Sequence, residues 1–256
     1  MKKTVIALFL VFSLLLCACS QSAPTDENTD GTNNGEGTGT TESTTSHSRF
    51  YLPGYFPHRI LQYFNEVVLS GEYTDNTGSA SLIQKWTKPI LYRIEGTPTD
   101  EDISVLNTLF AQLNEIQGFP GIEAAADGVK ENLMIYFLAP DAFRDKFSST
   151  VHGEDAYGAA QFWYDTNTNE ILNARIGYRT DMEYPSRKSV LLEEIVNCLG
   201  LSDSELRTDS VVYQHSNDNT YLSDVDWLIL KLLYEPTFKC GMNAKDCAAI
   251  FNVLYY

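Results

Sequence analysis

Positive charge is scarce in this sequence: 18 Lys and Arg stand against 34 Asp and Glu, a formal net charge of −16. A surface of that sign repels phosphate backbones and anionic lipid, which argues against a nucleic-acid partner. Apolar runs long enough to cross a membrane are missing as well. The longest, in "MKKTVIALFLVFSLLLCACS" at residues 1–20, is about a dozen residues, short of the roughly 18 to 20 that a spanning helix needs. Cysteine is sparse: beyond Cys17 and Cys19 there are only Cys198, Cys240 and Cys247, separated by 41 and 6 intervening residues. That odd number allows at most one intramolecular disulfide, and the spacing without partnering histidines does not make a zinc site. No internal repeat is visible.

What is present begins with an address. Lys2 and Lys3 followed by the apolar run and small residues form a secretory signal over residues 1–18. "LCAC" at 16–19 resembles the bacterial lipobox, which implies cleavage before Cys19 and lipidation of that cysteine. Acyl chains on Cys19 anchor the product on the extracytoplasmic face of a membrane. Loss of Lys2 and Lys3 leaves 16 basic against 34 acidic side chains, a formal charge of −18. Residues 20–48 carry five acids, no Lys or Arg and a single aliphatic side chain, Ala23. Such a segment cannot offset the entropy of folding, so 19–48 is expected to be a disordered acidic tether with a reach of about 30 Å.

Residues 49–256 are rich in Tyr, Phe and Leu and suffice for one domain with a real core. Ile60, Phe64, Val67 and Val68 recur at helical spacing, whereas Ile90, Tyr92 and Ile94 alternate as in a strand. Thr99 and a run of acids open a helix whose apolar face is Ile103, Leu106, Leu109, Phe110 and Leu113. "NLMIYFLAP" reads as a strand buried on both faces. "GAAQFWYDTNTNEILNARIGYR" reads as two strands around a polar turn at 165–169. Pro185 and Ser186 introduce a helix, and two more helical patterns, "LSDVDWLILKLLY" and "NAKDCAAIFNVLYY", end the chain. Strands that give way to helices predict an α+β domain with a mixed sheet and a helical C-terminal part.

The stretch with most to say about function is "LLEEIVNCLGLSD", residues 191–203. On a helix Glu193 and Asn197 lie about 40° apart and Glu194 about 100° from Glu193, while Leu191, Leu192, Ile195, Val196 and Leu199 cover most of the rest. A single polar window therefore opens in an apolar helix. Gly200 suits the left-handed turn that ends a helix and can bring Asp203 back toward the window.

"EEIVNCLGLSD" resembles the metzincin zinc-peptidase pattern His-Glu-x-x-His-x-x-Gly-x-x-His/Asp, matching at Glu194, Gly200 and Asp203. "DSVVY" at 209–213 stands where those proteins have their Met-containing turn, with Val212 in place of Met. "LSDVDWLILKLLY" is similar to their closing Leu-Ser-x-x-Asp helix. Together with "IQKWTKPILYRIEG" and "LYEPTFKCGM", the Glu-Glu stretch also resembles an uncharacterised family of bacterial lipoproteins grouped with zinc peptidases. The resemblance spans about residues 56 to 250 and implies a zincin-like fold with an active-site-type helix.

For activity it implies the reverse. A catalytic zinc needs three good ligands and an open position, with a carboxylate to activate its water. Glu194 occupies the position of that base and Asp203 is a possible ligand, but Glu193 and Asn197 replace histidines, and a neutral amide is a poor zinc ligand. His47, His58, His152 and His215 lie outside the motif. The reading is therefore no metal, no cofactor and no catalytic residue, with Ca²⁺ at the carboxylates a lesser alternative. Glu193, Glu194, Asn197 and Asp203 are candidates for ligand binding, converging beneath a sheet edge. In metzincins the strand corresponding to "YGAAQFWYD" is an exposed edge against which a peptide lies, which adds Trp163 to the candidates. The expected function is a membrane-anchored lipoprotein whose inactive domain binds a peptide or cell-envelope ligand. The alternatives are an active hydrolase using Glu194 and a structural envelope protein without ligand.

Overall fold

The computed structural model describes residues 49–69, 81–148 and 156–255. The signal, Cys19, the tether, His47 and His152 lie outside the described residues. No helix among the described residues is long and apolar enough to cross a membrane.

Among the described residues six helices and five strands follow one another as α1 (Pro57–Leu69), β1 (Ile90–Gly96), α2 (Asp100–Asn114), β2 (Ile122–Ala124), β3 (Leu133–Leu138), α3 (Pro140–Phe147), β4 (Gly158–Tyr164), β5 (Ile171–Arg179), α4 (Ser186–Cys198), α5 (Asp224–Leu233) and α6 (Ala244–Tyr255). The strands form one sheet in the order β2-β1-β3-β5-β4. The first four are parallel, and β4 runs antiparallel to β5 at the edge. The domain is thus α+β with a mixed, mostly parallel sheet.

Local chemistry explains the best-defined helices. Thr99 and Asp102 close a reciprocal capping box at the start of α2, and Ser223 and Asp226 do the same for α5, each box satisfying two otherwise orphaned backbone N–H groups. Ile60, Phe64, Val67 and Val68 of α1 are all buried.

One expectation is corrected. β3 is not buried on both faces: Leu133, Ile135 and Phe137 are buried, whereas Met134, Tyr136 and Leu138 are only half-buried. Among the described residues α3 is the helix packed against that second face, and with eight residues it covers little of it, placing Phe143 and Phe147 beside Tyr136, Leu138 and Ala159. α3 and β2 are additions that the apolar pattern did not show. Phe143 and Phe147 are the buried positions of α3, and β2 has three residues.

The main core lies on the other face of the sheet, where α2 and α4 pack together with α1 and the C-terminal helices. The alternation along β4 and β5 separates the two faces. Gly158 pairs with Tyr178 and looks toward α4, and Ala159 pairs with Gly177 and looks toward α3.

Candidate functional site

α4 is held at both ends by buried polar contacts. At its N-terminal end Arg187, 5% exposed, forms an ion pair with the fully buried Asp102 of α2 and donates from Nη1 to the Thr180 carbonyl at 2.9 Å. Burial alone would raise the Asp102 carboxyl, but hydrogen bonds from Tyr184, the Thr99 N–H and Arg187 outweigh it and hold it below the usual range. At the C-terminal end the Trp86 indole N–H donates to the Cys198 carbonyl at 2.8 Å, and the Tyr234 hydroxyl to the Leu199 carbonyl at 2.9 Å. These donors satisfy carbonyls that the end of a helix leaves without an internal partner.

Gly200 then turns the chain with φ +105°, and a Cβ there would sit 2.2 Å from the Gln84 carbonyl oxygen. Only glycine fits such a turn against a neighbouring backbone. The chain comes back far enough for the Asn197 amide nitrogen to donate to Asp203 Oδ1 at 3.1 Å. The next residue, Ser204, donates its N–H to the Val212 carbonyl at 2.7 Å, which laces this loop to the turn at 209–213. That turn is fixed from below by Asp226, 1% exposed, which accepts from the Ser210 hydroxyl at 2.6 Å and the Val211 N–H at 3.1 Å. Val212 itself is fully buried.

From Ser189 to Leu201 only Glu193, Glu194 and Asn197 are not buried, so the polar window lies where the helical pattern put it. Its floor is tight. A Cβ on Gly158, the first residue of β4, would lie 2.4 Å from Glu194 Oε1 and 2.4 Å from Val190 Cγ1, so β4 can cross the window only because that residue is glycine. The same carboxylates act on their buried neighbours. Burial first, then the charge of Glu194, pushes the Cys198 thiol up, and burial followed by Glu194, Cys198, Asp102 and Glu193 pushes the Tyr178 phenol well above its ordinary value. Both groups stay neutral. Tyr178 donates its hydroxyl hydrogen to the Leu191 carbonyl at 2.9 Å, tying β5 to α4.

Asn197, Asp203 and Glu194 are therefore placed around one end of α4 and its return loop, and Gly158 joins them as a wall that sequence reasoning missed. A glycine at the start of an aromatic-rich strand was the available signal. Trp163 is not brought to the window. Gly158 faces α4, and with regular pairing from Gly158 to Trp163 the pleat turns Ala160 and Phe162 toward α4 and Trp163 away. Trp163, 47% exposed, instead lies near the Arg175 guanidinium, which stands 5.6 Å from its ring and 5.0 Å from that of Phe147.

As a cation site the donor set does not fit zinc. An Asn197 amide hydrogen is directed at an Asp203 oxygen, so these two groups face each other as donor and acceptor. Among the described residues no three His, Cys, Asp or Glu side chains are gathered for a metal. His58 and His215 are exposed, the first stacked on Phe56 and the second beside Tyr213. Cys198, Cys240 and Cys247 are free thiols. Chemically the window offers hydrogen-bond acceptors beside an edge strand.

Residues 57–253 match the model of a family described as "Protein of unknown function (DUF2927)", and the chain belongs to that family. Among curated proteins none matches it.

Proposed function

We propose that this chain is a membrane-anchored lipoprotein whose metzincin-like domain has lost its zinc chemistry and binds an extended peptide of the cell envelope along β4. The observation that carries the reading is the crossing of β4 over α4. An antiparallel edge strand begins at Gly158 directly against Glu194, and among the described residues its outer side pairs with no other strand. An open edge offers backbone N–H and C=O groups to an added strand, and alternate side chains of that strand would fall over the acceptor window.

Three further features support kinship with the zinc peptidases. Glu194 stands at the position of their base, the Gly200 turn returns Asp203 to the helix, and a buried turn at 209–213 is laced to that return. The donor set argues against retained zinc chemistry, since the position of the second histidine holds Asn197, hydrogen-bonded to Asp203.

The test is amide hydrogen exchange over residues 158–164 in the presence of synthetic octapeptides that vary at the central residue. Slowed exchange in β4 with a subset of them is expected, without cleavage of any. Unchanged exchange with every peptide would remove the peptide-binding reading. Hydrolysis of casein that vanishes in Glu194→Gln would replace it with an active peptidase. The anchor is tested separately: the wild-type chain should partition with membranes and Cys19→Ser should not.

A further inference from the structure

We propose that the groove between α2, the outer flank of α4 and the start of α5 is a saccharide-binding site, in which a β-linked pyranose chain lies on Tyr221 and Trp227 and hydrogen-bonds to Ser104, Thr108 and Gln112. The groove has a volume of about 480 Å³, within the roughly 300 to 1,000 Å³ usual for small-ligand sites. It is separate from the carboxylate window. Lys188, which lines it, is about 140° around α4 from Glu193 and about 120° from Glu194, so it points away from both carboxylates.

The two walls have different chemistry. One carries Tyr221, 68% exposed, and the half-buried Trp227. An aromatic ring left that open contributes little to the core and offers a flat apolar face with a polar tip. The other wall is a polar stripe along α2, with Ser104, Thr108 and Gln112 at i, i+4 and i+8 and the carboxylate of Glu101 one turn before them, all exposed. At 1.5 Å per residue the stripe from Ser104 to Gln112 runs about 12 Å, long enough for more than one sugar ring. The Thr108 hydroxyl donates to its own helix at the Ser104 carbonyl, 2.8 Å away, which leaves its lone pairs as acceptors. Gln112 supplies both a donor and an acceptor. Lys188 adds donors and has no ion-pair partner among the described residues.

A pyranose ring matches both walls, with C–H groups on its faces and hydroxyls around its rim. A wholly apolar ligand would desolvate the α2 stripe without pairing it, which is costly. A peptide strand would find no edge to pair with, because the principal walls are helices whose backbone groups are already bonded internally. The charge of −16 disfavours a polyanion.

The probe is chitotetraose, with cellotetraose as a second β-linked chain, titrated into the full chain carrying Trp163→Phe. In that background the emitting tryptophans are Trp227 and Trp86, the latter 2% exposed. We expect a saturable change in Trp227 emission. Tyr221→Ala should weaken binding about tenfold, the upper end of one aromatic contact, and Gln112→Ala should weaken it less. Glu194→Gln should leave it unchanged, which separates this site from the peptide cleft. Because Tyr221 is largely in solvent, Tyr221→Ala should keep the wild-type melting temperature. No saturable response to either saccharide at millimolar concentration would overturn the proposal. So would binding indifferent to Tyr221→Ala, or an octapeptide that displaces the saccharide.

Discussion

Asn197 donates its side-chain amide to Asp203 across the Gly200 turn, so the two positions that a zinc helix would give to metal ligands bond to each other. If this geometry descends from a metal site, restoring histidines should restore it. The double variant Glu193→His with Asn197→His presents two imidazoles one helical turn apart, with Asp203 on the return loop as third ligand. Zinc should then stabilise the variant and leave the wild type unmoved, by about 2.7 kcal/mol at a hundredfold excess over Kd. Thermal melts with and without zinc decide it, and equal melting temperatures for the variant would count against descent from a zinc peptidase.

Gly158→Ala should be the most informative conservative change in the sheet. The added methyl would meet Glu194 Oε1 and Val190 Cγ1 at 2.4 Å, and overpacking of this kind costs about 1 to 3 kcal/mol. Glu194→Ala combined with Val190→Ala should recover part of the loss, which denaturant titration of the three variants would show as non-additivity. Additive losses would mean that β4 and α4 are not in contact there.

Arg187→Met should destabilise the fold by about 3 to 5 kcal/mol, because it leaves the Asp102 carboxylate buried without its cation. Asp102 also sets an acid limit. Its carboxyl is held below the usual value in the fold, so the unfolded chain binds the proton first as pH falls. The stability it contributes is present above the unfolded value of about 3.9 and fades below it as pH falls through the folded value. Asp102→Asn should flatten that part of the stability curve.

Lys85 predicts a slope of the same sign at high pH. Lys85 is 7% exposed, its ammonium donates to the carbonyls of Leu233, the last residue of α5, and of Phe238 in the segment that follows, and burial brings it down to about 8. The folded state releases this proton before the unfolded state does, so stability attributable to Lys85 rises between pH 8 and about 10.4. Lys85→Met should lose that rise. It should also cost about 1 to 3 kcal/mol at pH 7 for the stranded carbonyls. Urea titrations of both proteins at pH 7 and 9.5 compare the two slopes.

The parts of this molecule that the sequence determined by itself are those whose physics is local. The 3.6-residue spacing of Leu106, Leu109, Phe110 and Leu113, with Thr99 and Asp102 as a cap, defines α2 wherever it is packed. A polar window of Glu193, Glu194 and Asn197 in an apolar helix, and the glycine that must turn the chain at 200, are likewise written in adjacent residues. α3 escaped that reading because it shows only Phe143 and Phe147 to the sheet, too few for a period to emerge. Strand order, the face that each strand presents and the company of each side chain depend on pairings far apart in the chain. Trp163 looked like a neighbour of the carboxylates until the pairing of Gly158 with Tyr178 set the pleat and turned it to the other face. The groove of Ser104, Lys188 and Tyr221 exists only because α2 packs on α4 and the chain leading into α5 crosses their junction. Tertiary structure decided these because one residue's shift in register exchanges the two faces of a strand, and no local propensity measures that register.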